Sequence, residues 1–246
     1  MNEEKSILRR YLLQIILALI IVLPISTHAL SIDDERWVRF YYQDPQPNQL
    51  AEWLAKMVND GAPTNKNQFY PVFTFTSQIL RQHPELANSL IEKLSNYNEE
   101  DRAFLALILW HGEIPDAKSV IAKNLSLSDE ITSKITSVPP YNPIDHPVTM
   151  PSDMDMLWAT FMATGNEQAV NRIIDYLATP VSSKKSTEKS KEEFITEVYL
   201  SAAEWSLESN GRQDPKVAEI IKHRFKESDD DMKAKLAPII EGILSE

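Results

Sequence analysis

Asp145 and His146 stand side by side in a stretch broken by five prolines, Pro139, Pro140, Pro143, Pro147 and Pro151, with Tyr141 before them and Asp153 and Asp155 after. A stiff loop that holds an imidazole beside carboxylates is suited to general acid–base work, because fixed geometry removes part of the entropy cost of positioning the reacting groups. On that reading Asp145, His146, Asp153 and Asp155 line the cleft of an envelope hydrolase or lyase. The same residues also have a purely structural use. Ser152 and Asp155 have the spacing of a capping box, and Asp153 and Asp155 favour the positive end of a helix dipole. Capping accounts for the paired carboxylates without any chemistry, so the Pro-rich stretch at 138–152 reads first as a connector between helices.

Other chemistries lack their residues. The chain has no cysteine, which removes disulfides, thiolate chemistry and a lipoprotein anchor. Its five glycines are isolated, so it has neither a Gly-rich phosphate loop nor a dinucleotide fingerprint. The histidines are scattered singly without an HExxH pair, and the sequence has no G-x-S-x-G elbow. The expectation is therefore no metal and no cofactor. A formal charge of −11 repels phosphate backbones and anionic lipid alike, which argues against nucleic acid as a partner.

The aromatic residues offer binding as the alternative to catalysis. Trp37, Phe40, Tyr41 and Tyr42 cluster among charged residues, either as a first helix packing on the rest or as a docking patch for a partner. Tyr141 is a further candidate contact in the Pro-rich loop. Trp53, Trp110, Trp158 and Trp205 lie among Leu, Ile and Met at helical spacing, and the expectation for all four is burial in a core.

The elements that hold these residues are helices. Leu50, Trp53, Leu54, Met57 and Val58 fall at i, i+3, i+4, i+7 and i+8, one stripe of a helix that opens near Pro47 and stops before Gly61. Phe69, Val72, Phe73, Thr76, Ile79 and Leu80 form the next stripe, which ends at His83-Pro84 because proline disfavours the α conformation in the residue before it. Leu86, Leu90, Ile91 and Leu94 follow, and the run AFLALILW from Ala103 to Trp110 is apolar on every face, as a helix surrounded by neighbours must be. Met154, Leu157, Trp158, Phe161 and Met162 then face Val170, Ile173, Ile174 and Leu177 across Gly165, and two amphipathic helices joined so closely pack antiparallel. Gly112 and Gly211 have the same outline and read as further turns. Met232, Leu236, Ile239, Ile240 and Ile243 make a last helix, opened by the acidic ESDDD at Glu227–Asp231.

This helix-Gly-helix pattern, over residues 100–226, resembles the helical hairpin repeat proteins of the tetratricopeptide and HEAT-like kind. The segment MLWATFMATGNEQAVNRIIDYL resembles a motif of uncharacterised exported bacterial proteins. The resemblance implies a protein-interaction surface and supplies no catalytic residue. The expected fold is all-α, antiparallel helical hairpins stacked as a short solenoid or an irregular bundle.

The chain's start reads as an address. Lys5, Arg9 and Arg10 precede an apolar run from Leu12 to Leu23, followed by Pro24 and Thr27-His28-Ala29. Residues 1–29 are expected to be a signal peptide cleaved after Ala29, because the run is short of the roughly 20 apolar residues that span a bilayer. Residues 30–246 would then be a single helical domain, exported through the inner membrane to the periplasm or beyond, with no stable membrane insertion. Its one solvated loop would lie at 180–191, where SSKKSTEKSK has no apolar residue. The expected role is a protein-interaction or scaffold module whose partner is a protein or an envelope component.

Overall fold

The computed structural model describes residues 32–180 and 190–245. The signal-peptide reading of residues 1–29 and most of the Lys/Ser-rich tract lie outside them. Among the described residues the chain is all-helical, with twelve α-helices and no strand. The chain forms two compact units, Met1–Arg36 and Trp37–Glu246. The described part of the first is the opening of α1 (Ile32–Arg39), with Asp33, Asp34 and Glu35 in its first turn. The other eleven helices belong to the second unit.

Most boundaries fall where capping chemistry puts them. A 3-10 turn at Pro47–Gln49 leads into α2 (Leu50–Asn59), and the chain reverses beyond it at Gly61, whose φ of 86° suits a residue without a Cβ. Asn65 caps α3 (Lys66–Gln82) by accepting a hydrogen bond from the Asn67 amide at 3.0 Å. A 3-10 turn at Pro84–Leu86 then feeds α4 (Ala87–Leu94). Asn98 caps α5 (Glu99–His111), which holds the AFLALILW run with Phe104, Leu105, Ala106, Ile108 and Leu109 buried. After α6 (Ala117–Asn124) and α7 (Asp129–Thr136), the Pro-rich connection carries one 3-10 turn, Pro143–Asp145, into α8 (Pro151–Thr164). Gly165, at φ 68°, turns the chain into α9 (Glu167–Tyr176). Three helices complete it: α10 (Lys191–Gln213), α11 (Pro215–Glu227) and α12 (Asp230–Leu244), capped by Ser190, Asp214 and Asp229. The end of the Lys/Ser-rich tract, Ser190-Lys191, therefore belongs to a helix start.

Two cores lie on either side of α8. The first gathers α2 to α7, with Leu54, Ile79, Leu80, Leu90, Leu105, Ile108 and Ile121 fully buried. The second gathers α8 to α12 around Leu157, Phe161, Ile173, Ile174, Leu207, Ile221 and Leu236. Helix α8 sends Ala159 and Ala163 into the first core and Met154, Leu157, Trp158 and Phe161 into the second. Helix α3 packs on both α5 and α8. Its contacts to α5 advance in the same sense along both helices: Phe69 meets Phe104 at 5.1 Å between ring centroids, Ser77 Oγ donates to the Ile108 carbonyl at 3.4 Å, and Arg81 Nε donates to the His111 carbonyl at 3.0 Å.

Three expectations are corrected. Gly211 makes no turn: α10 runs through it to Gln213, and a Cβ there would stand 2.5 Å from Ile243 Cδ1 of α12. The turn falls at Asp214-Pro215, which supplies both an N-cap and the proline favoured at the first helical position. The cap of α8 is not Ser152 with Asp155. Pro151 starts the helix, so the third helical position is Asp153, whose Oδ2 accepts from the Met150 amide at 3.0 Å. Finally, Trp205 is not core, since it lies 55% exposed on α10.

Candidate functional site

The Pro-rich connection is pinned from the end of α5. Trp110 Nε1 donates to the Val138 carbonyl at 2.7 Å, and the Tyr141 amide donates to His111 Nδ1 at 2.8 Å. Arg81 closes the clamp. Its Nη2 donates to the Tyr141 carbonyl at 3.0 Å, and its Nε lies 3.2 Å from Glu113. His111 is 7% exposed, and burial together with the Arg81 charge pushes its pKa down to about 4. The imidazole is therefore neutral near pH 7. Its Nδ1 must carry the lone pair that receives the Tyr141 amide, so Nε2 carries the proton.

Beyond this clamp the predicted catalytic residues come together only in part. Tyr141 and His146 stack, with ring centroids 4.3 Å apart and planes inclined by 16°. The Tyr141 hydroxyl pKa is raised by burial and then by the Asp153 charge, so Asp153 faces the same pair. Each acidic partner already has a structural task. Asp153 Oδ2 accepts from the Thr149 amide at 2.7 Å and the Thr149 hydroxyl at 2.8 Å as well as from Met150. Asp145 is exposed and accepts from Asn142 Nδ2 at 2.8 Å. The His146 carbonyl accepts from Arg172 Nη2 at 2.6 Å, which ties the loop to α9. Asp155 lies apart from these bonds. Its residue is exposed, yet the protein around it desolvates the carboxyl and raises its pKa to about 6.

The predicted docking aromatics are built into the molecule. Tyr41 is 2% exposed, with its hydroxyl pKa raised to about 12 by burial. Its ring sits 5.3 Å from Trp37 and 5.5 Å from Phe75, and Trp37 and Phe75 both contact Trp53. Those rings stand edge-on or tilted at contact distance, so they form packed core. Tyr42 ties the segment that follows α1 to the second core: its amide donates to the Met162 carbonyl at 3.1 Å, and its hydroxyl donates to the Asp214 carboxylate at 2.9–3.0 Å. Its ring lies 4.8 Å from Phe161. Of the candidate patch, Tyr41 is thus removed as a surface contact by its burial.

The surface that sequence reasoning misses is on α10. Leu200, Ala203 and Leu207 point into the second core, while Phe194, 40% exposed, and Trp205, 55% exposed, lie on the opposite face. Val198 and Ala202 lie between them, only partly covered. The signal is present in the spacing. Phe194, Val198, Ala202 and Trp205 recur at i, i+4, i+8 and i+11, a second apolar stripe on a helix that already has one. An open cleft of about 920 Å³ lies elsewhere, between the ends of α9 and α11 and the start of α12, lined by Asp175, Arg224, Glu227, Asp229 and Lys235 among others. Arg224 and Asp175 pair across it at 2.5 Å. Among the described residues no group of three or more His, Cys, Asp or Glu is arranged to hold a metal ion, and no helix is long and apolar enough to cross a membrane.

Comparison of the chain with family models, with curated proteins and with solved structures finds no match.

Proposed function

We propose that the protein is an exported interaction or scaffold module of the bacterial envelope, or a secreted one, built from antiparallel helical hairpins in an irregular bundle. It engages its partner through the outward face of α10. One observation carries this reading: Trp205 is 55% exposed on a helix whose other face is fully packed. Single exposed apolar residues are ordinary, but a stripe holding Phe194 and Trp205 over three turns leaves apolar area in water that a partner can cover. Burying a side chain of that size stabilises a contact by about 1.5–3 kcal/mol. The hairpin resemblance and the apolar N-terminal run with its basic start support the same reading.

The rival, a hydrolase or lyase at the Pro-rich loop, draws less support. Asp153 and Asp145 are engaged in holding the loop and the start of α8, so the carboxylates nearest the stacked Tyr141–His146 pair already have structural tasks. The test is a double substitution, Phe194→Ala with Trp205→Ala, compared with the unmodified protein in chemical cross-linking within the native envelope. Helical content by circular dichroism should be unchanged while a cross-linked species disappears. An identical cross-linking pattern in the two proteins would remove α10 as the contact.

A further inference from the structure

We infer that the outward face of α10 receives a basic amphipathic helix of another protein, an inference that rests on the interaction reading of that face. The geometry sets the form of the partner. Phe194, Val198, Ala202 and Trp205 extend over about 16 Å at 1.5 Å per residue, the reach of three helical turns. All backbone donors and acceptors in the middle of α10 are used within the helix, so an extended strand would find no edge to pair with and would lose its own hydration. A helix satisfies its own backbone and offers anchors at matching intervals of three and four residues.

Charge sets the sign of the partner. Helix α10 carries Glu192, Glu193, Glu197, Glu204 and Glu208 against only Lys191 and Arg212, which stand at its two ends. Helical spacing puts Glu197, Glu204 and Glu208 along one flank of the apolar stripe, where Arg212 pairs with Glu208 and Lys235 of α12 lies near Glu204, so the flank carries a reduced acidic excess. The chain as a whole is at −11. A second copy would set glutamate against glutamate, and an anionic lipid surface would meet the same repulsion. A helix with Leu-type anchors flanked by Lys or Arg gains on both counts: its apolar face covers Trp205 and its charges meet the acidic flank.

The test uses the full-length chain and two short helical peptides of the same amphipathic pattern, one of leucine and lysine and one of leucine and glutamate. Binding is followed by calorimetry at low and high salt, for the unmodified protein, Trp205→Ala and Trp205→Phe, with sedimentation to read self-association. The lysine peptide should bind, weaken with salt, lose about tenfold or more in affinity with Trp205→Ala and recover with Trp205→Phe, while the glutamate peptide should not bind. Equal binding of both peptides, or lysine-peptide binding indifferent to Trp205→Ala, overturns the inference. Self-association that depends on Trp205, with neither peptide bound, refutes the basic helix but leaves α10 as a contact face. Absence of any effect of position 205 in every assay refutes both.

Discussion

His111 shows how one buried group can make the Pro-rich connection sensitive to pH. Its Nδ1 lone pair receives the Tyr141 amide, and its carbonyl receives Arg81, so protonation would remove an acceptor and add a charge beside a guanidinium. Burial and Arg81 hold its pKa down at about 4, against an unfolded value of about 6.5. The sign follows from proton uptake. Well above pH 6.5 neither state is protonated at this site and its contribution is intact. As pH falls from about 6.5 towards 4, only the unfolded state takes up the proton, and about 3 kcal/mol of stability is lost. Urea unfolding across that range should show the decline, and His111→Gln, which keeps an acceptor without titrating, should flatten it. An equal slope in the two proteins would refute the assignment. The residue types at this site are legible in the sequence, since Tyr141, His146 and Asp153 do approach one another. Their tasks are not. The capping spacing points two residues too late because Pro151 starts α8 before Ser152, and the partner of His111 lies 30 residues away, a separation that leaves no trace in local spacing.

At the scale of the element, the two glycines Gly165 and Gly211 separate what periodicity can and cannot say. Both follow an apolar run in the sequence, and only Gly165 ends a helix, at φ 68° with Tyr42 Cδ2 2.8 Å from where its Cβ would stand. Gly211 stays in α10 because a cap and a proline wait three residues on, and its missing side chain lets α12 approach. Gly211→Ala should leave the melting temperature unchanged or raise it slightly: alanine is the better helix former by about 1 kcal/mol, and the atom nearest its Cβ, Ile243 Cδ1, is the end of a half-buried side chain that can turn aside. A clear loss in thermal unfolding would mean that Ile243 is locked against α10. The outer stripe of α10 shows a different limit. Helix α5, apolar all round, buries most of its apolar run, whereas α10 carries two apolar stripes and only the one with Leu200, Ala203 and Leu207 is covered. Spacing identifies a stripe without saying whether another element lies against it.

For the whole molecule, helix content and most helix positions are legible, since caps, prolines and apolar stripes are local. The arrangement of helices is not. Helix α8 packs against α3, some 80 residues earlier in the chain, and so joins two cores that periodicity alone would treat as successive hairpins. Tertiary contact between distant helices is decided by shape, here with Ala159 and Ala163 of α8 entering the first core and Gln82 Nε2 of α3 donating to the Ala163 carbonyl at 3.4 Å. Among the described residues, α10 leaves two large aromatic side chains in water on one face, Phe194 and Trp205, whereas Tyr70 of α3 is exposed singly. The most direct test places a photo-activated cross-linking residue at position 205, and for comparison at the exposed Glu219 of α11, in cells of the native organism. Position 205 should give a covalent adduct with another protein, and position 219 none. No adduct at 205, or the same adducts from both positions, would contradict it.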